Sequence, residues 1–106
     1  MNENGQEKMR YLLVPNIHLK LLQSKIADLL SRIALPSYMY GAVKGKNNVM
    51  NAKNHLNNKY FLQLDLRDFF SNITNHMVFK MLLERGFPIP IARILTRLTT
   101  YKYSLP

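Results

Sequence analysis

The sequence contains no cysteine, which excludes a disulfide framework and any thiolate metal site. It has no unbroken apolar run of about eighteen residues, the length at which a membrane span is read, so no transmembrane helix is expected. The first seven residues are polar and lack the apolar stretch of a signal peptide. A cytoplasmic protein with no membrane partner is the default expectation. There is also no G-x-S-x-G elbow, no P-loop and no Cys/His pair, and His18, His55 and His76 stand too far apart for metal-ligand spacing. Acid is scarce as well. Six Asp and Glu face fifteen Lys and Arg, for a net charge of +9 at pH 7.

That imbalance is uneven along the chain. No acidic residue lies between Asp28 and Asp65, while Arg32, Lys44, Lys46, Lys53 and Lys59 all do. Such a segment raises the local positive potential and attracts polyphosphates, nucleic acid above all. A solvated basic surface is the plainer alternative. The chain's 106 residues allow one domain with a modest core, and a 47% hydrophobic share argues against wholesale disorder.

Residues 1–8 read as a disordered polar start, and residues 9–106 as the folded unit. Arg10–Val14 is a short β-prone run stopped by Pro15. Leu19, Leu22, Ile26, Leu29, Leu30 and Ile33 then recur on one helical face, with Asn16 as a cap and Pro36 beyond the end. This stripe is expected to be core, with Lys20, Gln23, Lys25, Ser31 and Arg32 turned to solvent or a ligand. Residues 36–48 form an aromatic and basic loop, followed by a short helix capped by Asn47 or Asn48. Asn57-Asn58 is a turn, and Tyr60–Leu66 is the one convincing strand. A helix begins at Thr74-Asn75-His76 and stops at Gly86. A last helix opens on Pro88-Ile89-Pro90, with Ile91, Ile94, Leu95 and Leu98 in phase. The expected fold is α+β: mostly helical, with a small antiparallel sheet from residues near 10–15 and 60–66 and the 38–44 loop. One strand cannot satisfy its own ladder, so either further strands escape this reading or the domain is incomplete and continues in missing sequence or another chain.

Asp65 ends the apolar strand, and Asp68 follows three residues later. A strand end holds a carboxylate rigidly enough to bind a divalent metal, which suits chemistry on phosphates. Two acids at this spacing rarely face the same ion, so Asp68 serves equally well as a helix cap and Asp65 as a solvent contact. Phe69 and Phe70 fit core aromatics, or a ring placed against a nucleotide sugar. Lys44 and Lys46, beside Gly41 and Gly45, suit phosphates or a merely exposed loop. Tyr38 and Tyr40 could stack on bases or pack over the long helix.

Taken in order, several of these pieces resemble bacterial reverse transcriptases of the retron and group II intron type. The matching pieces are Arg10 and Pro15; Leu19-Lys20 and Gln23; Tyr40-Gly41-Ala42-Val43-Lys44-Gly45-Lys46; Asn51-Ala52-Lys53 with His55; and Leu64-Asp65-Leu66-Arg67-Asp68-Phe69-Phe70-Ser71-Asn72-Ile73. The last block is close to the family's L-D-[IL]-[KR]-D-F-F-x-x-I, and Ser71 replaces a proline common there. The resemblance implies fingers and the start of a polymerase palm. Asp65 would be the first catalytic, Mg²⁺-binding aspartate, with the backbone carbonyl of Leu66 as a second contact. Asp68 and Phe69 would offer backbone N–H groups to an incoming deoxynucleoside triphosphate (dNTP), Phe70 would discriminate deoxyribose, and Lys44 and Lys46 would contact triphosphate or template. Lys20, Arg32, Tyr40, Lys53 and His55 would follow the nucleic acid. RNA template, primer, dNTP and Mg²⁺ are the implied partners. The family's Q-G and Y-x-D-D motifs are absent, so this chain alone is not expected to polymerise DNA. A truncated product or one piece of a split enzyme, partnered by a C-terminal half, is the implied state, with a non-catalytic RNA-binding module as the alternative.

Overall fold

A computed structural model describes residues 12–106. Five helices follow one another: α1 (Ile17–Leu30), α2 (Asn48–Lys53), α3 (Phe69–Asn72), α4 (Asn75–Glu84) and α5 (Ile89–Thr99). The helix starts follow side-chain chemistry. Asn16 accepts from the Leu19 N–H at 2.9 Å, Asn47 from Met50 at 2.9 Å, and Thr74 from Met77 at 3.2 Å. Each satisfies an amide that the helix itself leaves free. Pro90 sits in the first turn of α5, where its missing N–H costs nothing. Gly86 ends α4 with φ +92°, while Phe87 donates back to the Leu82 carbonyl at 3.1 Å.

The core is made where α5 packs against both α1 and α4. Val78, Leu82 and Ala92 form its centre, with Leu30, Ile73, Phe79, Leu83, Phe87, Leu95 and Leu105 packed around them. Ala92 is wholly buried, and its small side chain lets α4 come close. Buried Thr96 is satisfied by donating to the Ala92 carbonyl at 2.7 Å. Residues 101–105 return across the start of α4: Asn75 donates to Tyr103 and Leu105 to Ile73, at 2.9 and 3.0 Å.

Two expectations need correction. The antiparallel sheet is not present: the described residues contain only isolated bridges, Thr74 with Ser104 and Tyr101 with Ser104, so the fold here is helical rather than α+β. Tyr60–Leu66 runs without a ladder partner, its apolar side chains exposed. Its proposed neighbours do not pair with it among the described residues. Residues 12–15 reach Pro15, and residues 38–44 are folded into turns, with Ala42 at φ +53°. The part of the first run at Arg10 and Tyr11, and the disordered start assigned to residues 1–8, lie outside the described residues. Second, the apolar stripe of α1 is only partly core. Ile26 is buried and Leu19, Leu30 and Ile33 are half-buried, while Leu22 and Leu29 stay exposed. Gln23 does the reverse. Expected at the surface, it donates to the Leu98 carbonyl of α5 at 2.8 Å.

Candidate functional site

The Tyr60–Leu66 segment delivers Asp65 and Leu66 to solvent. Among the described residues the Asp65 side chain makes no hydrogen bond or ion pair. The backbone then turns sharply. Asp68 takes the left-handed conformation, φ +48° and ψ +46°, an arrangement that costs a non-glycine residue free energy and that Asp tolerates better than most. It occupies the position before α3 without a capping bond from its carboxylate, so the cap expected of its side chain is not made. Its carbonyl instead accepts from Ser71 Oγ at 3.0 Å and Asn72 Nδ2 at 2.9 Å. Asn72 also reaches the Arg67 carbonyl at 3.3 Å. Two side chains thus hold the turn from its far end. Arg67 and Asp68 pair at 3.4 Å, both well exposed, a contact worth little in water.

Phe69 and Phe70 meet edge to face, centroids 5.5 Å apart, and are 46% and 61% exposed. They are surface aromatics rather than core. His55 is exposed and lies edge-on to Phe61, with centroids 6.3 Å apart, which ties the end of the α2 region to the Asp65 segment.

The basic loop before α2 is organised differently. Lys46 donates to the carbonyls of Ser37 and Met39, at 2.7 and 2.9 Å, and its ammonium stands 4.7 Å from the Tyr40 ring centroid. Tyr40 is half-buried, and its hydroxyl accepts from Asn54 at the end of α2. Lys44, Lys20, Arg32 and Lys53 are all exposed. Asn54 had no signal in the sequence: it stands fourteen residues from Tyr40, and no helical or strand period connects them.

The resemblance implies Mg²⁺, so the donor set must be asked whether it fits. Hard cations take six or more oxygen ligands, usually with several carboxylates or retained waters. Among the described residues no three His, Cys, Asp or Glu side chains gather where they could hold a metal. Asp65 and the Leu66 carbonyl can supply two oxygens of such a shell and cannot complete it. Further ligands would have to come from outside these residues.

The fold and site together define a basic helical domain that displays an acid-bearing turn and a tethered cationic loop on its surface. Comparison with known proteins makes the assignment narrower. The chain is 31% identical over its whole length to the retron Ec86 reverse transcriptase of Escherichia coli, covering 34% of that protein. It is 33% identical over 87% of its length to the retron Mx65 reverse transcriptase of Myxococcus xanthus, covering 22% of it. It is 29% identical over 98% of its length to the retron Se72 reverse transcriptase of Salmonella heidelberg (strain 579083-10), covering 28% of it. No family model matches, and no solved structure matches. The chain is similar along its length to retron reverse transcriptases, and it spans about a third or less of the length of those it matches.

Proposed function

We propose that this chain is the fingers and the beginning of the palm of a retron-like reverse transcriptase, contributing template and nucleotide binding to an RNA-directed DNA polymerase. The observation that carries this reading is the similarity along the whole chain to retron reverse transcriptases, beside the Leu64–Ile73 motif of the sequence. Asp65 is the first metal-binding carboxylate, exposed and without a hydrogen-bond or ion-pair partner among the described residues, and the Leu66 carbonyl is its neighbour. Asp65 and the Leu66 carbonyl would hold Mg²⁺ together with carboxylates from elsewhere, and the ion would supply activation of the attacking hydroxyl and stabilisation of the leaving pyrophosphate. Asp68 and Phe69 offer backbone N–H groups to the dNTP phosphates, and Phe70 presents its ring to the sugar. Lys44 and Lys46 belong to the surface that meets the triphosphate or template, and Lys20, Arg32, Tyr40, Lys53 and His55 to the nucleic-acid path. RNA template, primer and a C-terminal polymerase segment are the partners, in the cytoplasm.

The test is primer extension on an RNA template, with the chain supplemented by a retron polymerase segment bearing Q-G and Y-x-D-D. Synthesis that disappears in Asp65→Ala is the expected result; undiminished synthesis by that variant removes Asp65 from the metal site. The +9 charge favours one second reading, a non-catalytic RNA-binding module, because phosphate attraction needs no carboxylate. That reading predicts RNA binding by the supplemented protein with no primer extension at all.

A further inference from the structure

Lys46 spends its hydrogen-bonding capacity inside its own loop. An ammonium has three N–H donors. Two are committed to the Ser37 and Met39 carbonyls, at 2.7 and 2.9 Å, and the charge lies over the Tyr40 face. The chain around it is closed by backbone bonds as well: Met39 N–H to the Pro36 carbonyl and Lys46 N–H to that of Val43, both at 3.1 Å. Gly45 turns at φ +79° between them. The loop is anchored to α2 at two points, through Asn54 to the Tyr40 hydroxyl and through Asn47, which caps the helix. Two groups stand outside this ring of bonds. Tyr38 is 79% exposed, and Lys44 is exposed with no side-chain partner among the described residues. Tyr40, by contrast, has its hydroxyl engaged and one face covered.

We propose that Lys46 is a positioning residue that preforms residues 37–46 as a single-strand-binding loop, in which Tyr38 stacks on an unpaired base and Lys44 meets a backbone phosphate. This rests on the nucleic-acid-binding reading above and assigns Lys46 a role other than phosphate contact. An exposed tyrosine in the same loop as an exposed lysine suits single strands, because stacking requires a base free of its duplex. Fixing the loop before the ligand arrives removes part of the ordering cost of binding.

The experiment is lysine acetylation of the 106-residue chain read by mass spectrometry, with and without a short labelled single-stranded RNA of mixed sequence. Affinities for the same RNA and for its duplex are measured alongside. Without RNA, Lys46 should react at least about tenfold more slowly than Lys44, since two of its three donors are already bonded. Adding single-stranded RNA should slow Lys44 and leave Lys46 unchanged. Tyr38→Leu should weaken single-strand binding about fivefold or more, the loss expected for one stacked base, and leave duplex binding within about twofold. Lys46→Arg should retain single-strand binding that Lys46→Met loses. Equal reactivity of Lys46 and Lys44 in free protein, or protection of Lys46 only when RNA is added, overturns the positioning role. RNA that binds without slowing Lys44 and without sensing Tyr38→Leu overturns the loop assignment while the nucleic-acid reading stands. No binding of either RNA at low salt overturns both.

Discussion

At the scale of single residues, the chain separates groups that build the fold from groups held out of it. Asp65 is exposed and its carboxylate has no partner among the described residues. Removing it deletes no hydrogen bond or ion pair among the described residues, so Asp65→Ala should leave unfolding free energy within about 0.5 kcal/mol of the parent, as for ordinary surface substitutions. Urea melts followed by circular dichroism measure this directly. A larger loss would mean that the carboxylate supports the turn, and lost primer extension in that variant would no longer report on chemistry. Gly86 is the opposite case. A Cβ there would meet nothing within 4 Å, so space is no obstacle. The obstacle is φ +92°, which L side chains disfavour. Gly86→Ala should therefore cost about 1 kcal/mol, from backbone strain alone, seen as a lower urea midpoint with an unchanged slope.

At the scale of elements, the helices rest on caps and on one cross-helix hydrogen bond. Thr74 holds the first turn of α4, which carries the buried Val78 and Leu82. Thr74→Ala should cost about 1 kcal/mol, the usual loss for an N-cap hydroxyl. Gln23→Leu should cost about 1–2 kcal/mol because it leaves the Leu98 carbonyl, near the end of α5, without a donor. Paired thermal melts of these variants check both values. The start of α4 at Thr74-Asn75-His76 was legible in the sequence, and so were the starts at Asn16, at Asn47 or Asn48 and at Pro88-Ile89-Pro90, and the stop at Gly86. Gln23 was not. Helical period placed it off the stripe, and only the approach of α5 reveals the carbonyl it serves. The Tyr60–Leu66 run shows the other limit. Its apolar content describes a strand, but a strand is a property of two segments, and among the described residues none pairs with it. The candidate site divides in the same way. Asp65 and its motif could be read directly, whereas the bonds from Lys46 to Ser37, Met39 and Tyr40 depend on how a loop with two turns closes.

At the scale of the whole molecule, the buried hydrophobic core among the described residues is four side chains, Ile26, Val78, Leu82 and Ala92, in a chain carrying +9. Much of the apolar surface from Tyr60 to Phe70 is left in water. With few acids to offset them, the cations of α1, the 37–46 loop and α2 add their fields over a common stretch of chain. Lys20, Arg32, Lys44 and Lys53 are exposed and among the described residues meet no carboxylate within ion-pair distance. Cations not consumed by internal pairs remain available to displace counterions from a nucleic-acid backbone. If about five phosphates are neutralised, the logarithm of affinity for single-stranded RNA should fall with the logarithm of salt concentration at a slope near −3.5. Between about 50 and 200 mM salt that amounts to roughly a hundredfold loss, which fluorescence anisotropy titrations resolve easily. Lys44→Gln should make the slope shallower by about 0.7, the increment for one phosphate on a single strand. Tyr38→Leu should lower affinity at every salt concentration with the slope unchanged, because stacking releases no counterions. A flat salt response would remove phosphate contact as the use of this charge, and with it the main physical support for an RNA-binding surface.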